Sequence, residues 1–463
     1  MSVVDCLLLG AILLVCGWWI AAPRTGRSWL RLAPLALLAL AVLQFALEGF
    51  TWQAIPAWLV IAALGLLSVR RMPATPARGF GDLTGKAGLL VLALAMLGPW
   101  MLVLPAPVLP TPAITLGTRI YRWTDASRDE PATADTGDRR SVIAQVFYPA
   151  AEGARGRHSV YIDGLRALPA KVSIMPGFML ATFGRIDTHA VVDAPISPAR
   201  KWPIVLFSPG YGGPRATYTG LAEGLAAKGY VVVTLDHPYE SAVTELPDGR
   251  IVSTIDNFPA NASEGEGDAW MAGQLDVRAA DMLFALDQLR PEIIGDDLAA
   301  HLDLGHVAAI GHSLGGVTAV VAMQADARIE AAANVDGTPY GAMTTRPLDR
   351  PFLLLQSDYR ESGHSDKFIQ RNRAIIRQDA AQAWHYEIHR ANHYSFTDAP
   401  LFLALPARFA LSLLIGGERG PEETQRASAD ILAAFLQGPL GGQPGNVEAA
   451  ARSYKDISGG PEH

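Results

Sequence analysis

Cysteine is nearly missing from this chain of 463 residues. Cys6 and Cys16 both fall in the first apolar run, so everything beyond that run can form no disulfide of its own. Two thiols in one apolar helix also make no zinc site. Charge is scarce too. Asp, Glu, Lys and Arg make up 18% of the residues, against about 25% in an average soluble protein, and the deficit is concentrated before residue 110. Cations are nowhere clustered and the net charge is −7, which excludes a phosphate-binding surface for nucleic acid. There is no glycine-rich phosphate loop, no dinucleotide fingerprint and no metal-ligand spacing. A chemistry free of cofactor and metal is therefore expected.

What is there divides the chain in two. Before residue 110 stand four apolar runs, roughly 3–23, 29–48, 52–69 and 87–109. Each matches the length a helix needs to cross a hydrocarbon core of about 30 Å. Trp18, Trp19, Trp29, Trp52 and Trp58 sit near the run ends, where indole rings suit the headgroup layer. Arg24, Arg27 and Arg31 lie between the first and second runs, and Arg70, Arg71, Arg78 and Lys86 between the third and fourth. Positive loops stay in the cytoplasm. The expectation is an integral protein of a bacterial inner membrane, with the lipid bilayer as partner and the C-terminal domain extracytoplasmic. The run interiors carry no paired ionisable residues, as a transporter would need, so the helices read as an anchor.

After the prolines at 105–112 the pattern changes. Segments 141–149, 203–209, 229–236, 306–313, 329–336 and 351–358 are short, apolar and rich in β-branched residues. Such strands suit a parallel sheet buried on both faces. Helical patterns at 217–229 and 276–289 lie between them, and the alternation predicts a doubly wound α/β sheet. Residues 243–270 read as a surface excursion and the tail beyond about 437 as a flexible terminus.

The chemistry begins at Gly311-His312-Ser313-Leu314-Gly315, a G-x-S-x-G element with an apolar strand before it and a helical stretch after it. That context exposes a serine hydroxyl on a tight turn and points a helix N-terminus at it. Such a nucleophile needs a base, and the base needs an orienting carboxylate. Asp336 and Asp358 each end an apolar strand after the serine, and position alone does not separate them. Four histidines after the serine are candidates for the base: His364, His385, His389 and His393. The 385–389–393 spacing resembles a helical metal face, but WHYEIHR alternates as a strand does, which leaves His393 on the loop where a base belongs. His385 and His389 read as the polar face of an outer strand. Two backbone N–H donors are needed for an oxyanion. Leu314 supplies one by position, and Tyr211, within the loop FSPGYGGPR, is the candidate for the other. His237 reads as a structural histidine beside the pocket.

Laid out in this way, the chain resembles the plasma and intracellular type II platelet-activating-factor acetylhydrolases, from about Gly117 to about Leu440. The matching stretches are GTRIYRWTD with QVFYP, VLFSPGYGG, GHSLGG, NVDG, LLLQSDY and RANHYSFTD. The resemblance implies an α/β-hydrolase fold, selects Asp336 over Asp358 as the acid, and supports His393 as base and Tyr211 as oxyanion donor. It also implies a calcium-independent esterase that removes short or oxidised acyl chains from phospholipids. Two departures stand out: Pro209 occupies a position where the family usually has histidine, and the four apolar runs are additional.

The expected organisation is thus a four-helix transmembrane anchor (1–110), an α/β-hydrolase catalytic domain (111–440) and a tail (441–463). The expected activity is hydrolysis of an ester or phospholipid substrate through Ser313, Asp336 and His393. A broad carboxylesterase, a polyester hydrolase or a membrane acyltransferase could share that triad; a non-catalytic sensor would not need it.

Overall fold

The computed structural model describes residues 2–21, 32–69, 80–165, 180–255, 257–377, 382–442 and 445–462. They form two compact units. The smaller lies within Met1–Pro107, Phe178–Arg185 and Phe402–Ala410; the larger takes the rest.

The smaller unit is helical, with α1 (Val3–Ala21), α2 (Ala33–Glu48), α3 (Ile55–Val69) and α4 (Phe80–Ala95). Leu8, Ile12, Leu37, Ala57, Leu64 and Met96 form its core. Here the membrane expectation is overturned. Among the described residues no helix is long and apolar enough to cross a membrane. The apolar runs of the sequence are longer than the helices they make. α2, α3 and α4 have 16, 15 and 16 residues, about 24 Å or less at 1.5 Å per residue. Gly98-Pro99 opens a separate five-residue helix after α4, and Val103 is extended, so the run at 87–109 is not one helix. α1 has 19 residues but places Asp5 in its first turn. That carboxylate is buried and accepts a hydrogen bond from Gln44 Nε2 at 3.1 Å. An integral, extracytoplasmic placement therefore has no support in these helices. The cationic stretches at 24–31 and 70–78, used for the orientation, lie outside the described residues.

The larger unit is built on a ten-stranded mixed sheet. In chain order its strands are β1 (Leu116–Asp129), β2 (Arg139–Pro149), β3 (Ala190–Val192), β4 (Trp202–Ser208), β5 (Val231–Asp236), then β8 (Leu302–His312), β9 (Ile329–Val335), β10 (Phe352–Ser357), β11 (Ala383–Ile388) and β12 (Ile457–Pro461). A two-stranded ribbon, β6 (Thr244–Glu245) with β7 (Ile251–Val252), stands apart from it. The spatial order is β12-β11-β10-β9-β8-β4-β5-β2-β1-β3. Neighbours from β5 through β11 are parallel, while β2 and β12 run antiparallel to theirs. The six apolar segments of the sequence fall on β2, β4, β5, β8, β9 and β10. Their side chains are buried on both faces, as continuous apolar strands require. Helices Glu264–Gln288 and Leu314–Ala325 cover one face with Leu275, Met282 and Val317. Helices Thr219–Ala226 and Pro421–Gly441 cover the other with Leu221, Leu225 and Leu432.

Two local expectations change. The helix expected over 276–289 starts at Glu264, where Ser263 and Glu266 form a capping box at the close of the presumed surface excursion. The presumed flexible tail carries a helix, Val447–Arg452, and β12, which pairs with β11 from Trp384↔Pro461 to Ile388↔Ile457.

The chain passes from β4 to β5 on one side and returns through β8 on the other. The order thus reverses between β4 and β8, and the crevice beyond their carboxyl ends is where open α/β sheets place a ligand.

Candidate active site

Ser313 stands at that point, on the turn between β8 and the helix Leu314–Ala325, with φ 56° and ψ −126°. A non-glycine residue in this region is strained and is held there by its surroundings. The flanking glycines explain how. A Cβ on Gly311 would lie 2.5 Å from the Ser208 carbonyl oxygen, and one on Gly315 would run into the Ser208 and Pro209 carbonyls. The turn can only be this tight where neither residue has a side chain. Ser313 N–H donates to the Val335 carbonyl at 2.7 Å, which ties the turn to β9.

Asp336 follows β9, also at positive φ (59°), with its carboxylate fully buried. One oxygen, Oδ2, lies 2.7 Å from His393 Nδ1. The other, Oδ1, accepts from Ser357 N–H at 2.7 Å and lies 3.0 Å from His364 Nε2. Ser357 Oγ is within 3.0 Å of both oxygens. Burial pushes this carboxyl up, but hydrogen bonds from His364 and His393 outweigh it and hold Asp336 well below the usual carboxylate range. Asp358 is engaged elsewhere. It caps a short helix through Arg360 N–H (2.9 Å), and its second oxygen accepts from Arg390 N–H at 2.9 Å. The structure therefore brings Asp336, and not Asp358, to His393.

His393 opens a single helical turn after β11. Asn392 fixes that turn, its side chain accepting from the N–H groups of Tyr394 and Ser395. His385 and His389 lie apart from it. They line a cavity of about 830 Å³ with Asp358, Glu387 and Arg373. Among the described residues two sets bring potential metal-ligand atoms within 4.8 Å of one another: His312, Asp336 and His393, and Asp358, Glu387 and His389. In the first, each side chain is already engaged in the hydrogen bonding of the site.

The turn after β4 lies against the serine: a Cβ on Gly210 would be 3.2 Å from Ser313 Cβ. Its backbone is fixed at several points. Gly210 N–H donates to Tyr218 Oη (3.0 Å), Gly212 N–H to the Glu240 carbonyl (3.1 Å) and Gly213 N–H to the Gly210 carbonyl (3.1 Å). Tyr211 lies in this turn, its ring edge-on to Trp270 with centroids 5.9 Å apart. Leu314 begins the helix that follows the serine. Beneath the turn is a buried charge network that the sequence reading did not contain. Arg278 Nη1 donates to the Pro209 carbonyl at 2.7 Å and Arg278 Nε to Glu240 at 2.6 Å. Ser208 Oγ lies 2.9 Å from His237 Nε2, and His237 Nδ1 lies 2.9 Å from Asp281, which Arg140 also holds. These are the residue types of a triad, but all three are sealed from solvent. They brace the turn and meet no substrate. No spacing rule joins positions 208, 237, 278 and 281; only the fold does.

The cleft beside Ser313 has a volume of about 510 Å³, and its walls include Met271, Leu314, Tyr340, His364, Phe368 and Tyr394.

Sheet order and strand-turn-helix geometry put the chain in the α/β-hydrolase class. Comparison with known proteins narrows it. Residues 132–249 and 277–452, more than half of the chain, match the model of the platelet-activating factor acetylhydrolase, isoform II, family. The chain belongs to that family. It is 28% identical over 291 residues to a probable 1-alkyl-2-acetylglycerophosphocholine esterase of Arthroderma benhamiae, covering 61% of this chain and 64% of that protein. It is 24% identical over 238 residues to the platelet-activating factor acetylhydrolase of Cavia porcellus, covering 46% of this chain and 52% of that one. The chain thus spans between half and two thirds of the length of these two relatives. Among solved structures, a ferulic acid esterase from Streptomyces cinnamoneus superposes with a TM-score of 0.63 at 27% identity, over 76% of this chain and 99% of that one.

Proposed function

We propose that the chain is a serine hydrolase of carboxylic esters that releases short acyl groups from phospholipids. The observation that carries this reading is the 2.7 Å contact between His393 Nδ1 and the buried, ionised Asp336, beside a serine held at positive φ on a strand-to-helix turn. Asp336 holds the imidazole so that Nε2 serves as base. His393 takes the proton from Ser313 as the hydroxyl oxygen attacks the ester carbonyl. The N–H groups of Tyr211 and Leu314 receive the oxyanion. The alcohol leaves with the proton from His393, and water then attacks the acyl-serine by the same base. Family membership and the names of the two relatives favour an sn-2 acetyl phospholipid as the ester.

A second reading is a carboxylesterase or polyester hydrolase for bulkier, aromatic acyl groups. The aromatic walls of the cleft, Tyr340, Phe368 and Tyr394, and the likeness to the Streptomyces esterase favour it. One assay separates the two. Acyl release is followed from phospholipids with sn-2 acetyl or palmitoyl chains and from an aryl ester, with Ser313→Ala as blank. Acetyl release abolished by the substitution supports the phospholipid reading; cleavage of the aryl ester alone supports the second.

A further inference from the structure

His312, the residue before the proposed nucleophile, is buried and touches two loops that lie far apart in the chain. Its Nδ1 lies 2.9 Å from Tyr218 Oη. Its Nε2 lies 2.9 Å from the carbonyl oxygen of His393. Tyr218 Oη in turn receives the N–H of Gly210 at 3.0 Å. Both side chains are almost fully buried, Tyr218 at 2% and His312 at 3% exposure, so water does not compete for these contacts.

The direction of every proton in this chain of contacts follows from its ends. The backbone N–H of Gly210 can only donate, and the His393 carbonyl can only accept. Nε2 of His312 must therefore carry a hydrogen, since two acceptors would otherwise face each other at 2.9 Å. Burial, and next the nearby His393, push His312 down to about 3, so the ring is neutral and its single hydrogen is the one on Nε2. Nδ1 is then an acceptor, and the Tyr218 hydroxyl donates to it. Burial also raises the Tyr218 phenol, so it keeps that proton at neutral pH.

We propose that Tyr218 and His312 form a one-way hydrogen-bond wire that fixes the oxyanion turn, the nucleophile turn and the catalytic-histidine loop relative to one another. The proposal rests on the reading of Ser313 and His393 given above. The three loops follow β4, β8 and β11. β4 and β8 are neighbours, but β11 is three strands from β8, about 14 Å at the usual strand spacing. The loop carrying His393 therefore has to reach back across the sheet ends. The wire holds its backbone to the residue next to Ser313, with the His312 and His393 ring centroids 4.5 Å apart. Both residues are positioning residues, since neither would touch the reacting atoms. The wire also gives a physical reason for histidine in the second position of this G-x-S-x-G element: it needs an acceptor and a donor on opposite sides of one ring.

The test has two arms on the full chain. In the first, the rate of Ser313 labelling by a fluorophosphonate probe and the kinetics of aryl acetate cleavage are compared for wild type and Tyr218→Phe, normalised to folded protein. The variant keeps the ring and removes only the hydroxyl. Loss of these links is expected to slow labelling and kcat roughly tenfold with KM changed less than about twofold, the size of one or two hydrogen bonds. His312→Phe is expected to slow both further, and the double variant to be no slower than His312→Phe alone, because both changes cut one wire. In the second arm, wild type carrying 15N-labelled histidine is examined by NMR at pH 7. A neutral Nε2–H tautomer at His312 is expected, and a neutral Nδ1–H ring or a charged one overturns the proposal whatever the variants do. A Tyr218→Phe protein that labels at the wild-type rate overturns it too. Wild type that fails to label at all overturns the nucleophile reading instead, and the wire's role in catalysis falls with it.

Discussion

His364 Nε2 lies 3.0 Å from Asp336 Oδ1, on the carboxylate oxygen that His393 does not use. The acid thus carries an imidazole on each oxygen. His364 sits on the loop that walls the cleft, stacked on Phe368 with ring centroids 3.8 Å apart and planes within 5°. Its donor and the Ser357 N–H both meet Oδ1, while Oδ2 faces His393. His364→Phe keeps a ring against Phe368 and removes the donor, whereas His364→Gln can still offer an N–H. The Phe variant is expected to lose about tenfold in kcat, the scale of one charge-assisted hydrogen bond, and the Gln variant to recover part of it. Steady-state kinetics with an aryl acetate measures both; equal activity of the Phe variant and wild type would remove His364 from the acid's support.

The two candidate acids part company under a single-atom change. Asp336→Asn replaces the oxygen facing His393 by a donor or removes the ionised partner, and kcat is expected to fall by roughly 10³ to 10⁴. Asp358→Asn keeps an acceptor for the cap and touches neither Ser313 nor His393, so kcat should hold, while loss of the second acceptor, which takes the Arg390 N–H, lowers stability by about 1 kcal/mol. Kinetics and urea melts on the two variants check the pair. A large kcat loss in Asp358→Asn would mean that the histidine changes partner during turnover.

The strands and the serine turn were legible because short, largely apolar runs of seven to nine residues mean strands buried on both faces, although the run at 141–149 falls on the antiparallel β2, and G-x-S-x-G demands small residues where Gly311 and Gly315 meet the Ser208 carbonyl. His393 was legible from the break in the alternation after β11. Asp336 and Asp358 were not separable by local pattern, because both end apolar strands and only the family resemblance favoured one. His364 was a candidate histidine without an assigned role, since its partner Asp336 is 28 residues away in sequence and only the fold joins them. Apolar run length was misleading before residue 110, where α4 stops at Ala95, a new short helix opens at Gly98-Pro99, and Asp5 is buried. Hydropathy counts residues; it does not register which of them a helix keeps.

Arg278 is sealed from solvent and holds both Glu240 and the Pro209 carbonyl. Arg278→Met removes the cation and leaves a carboxylate largely buried with its partner gone. Unfolding free energy is expected to drop by about 3–5 kcal/mol, the range for breaking a buried pair. Because the Pro209–Gly213 turn loses its brace, kcat for an aryl acetate should fall as well in the protein that remains folded. Urea titration with active-site counting separates the two effects. A variant as stable as wild type would show that the turn is held by its backbone contacts alone.

Asp398 gives the stability a pH dependence of predictable sign. Its carboxyl is fully buried, with Tyr161 Oη at 2.9 Å, Gln425 Nε2 at 2.7 Å and Gly220 N–H at 3.2 Å. Burial outweighs these donors and pushes it up to about 7 from an ordinary 3.8. A group raised in the folded state binds its proton more tightly there than in the unfolded chain. Its contribution is therefore complete below about pH 4 and is lost as the pH climbs through about 7. Asp336 and Asp281, both held low, act in the opposite sense but in more acid solution, where they become protonated. The difference between wild type and Asp398→Asn isolates the one group: Asn cannot ionise, so the stability gap between the two should shift in the variant's favour by on the order of 3 kcal/mol from pH 4.5 to pH 8. Parallel urea titrations at half-unit steps read that gap directly, and a gap constant across the window would mean that Asp398 is ionised in the fold throughout.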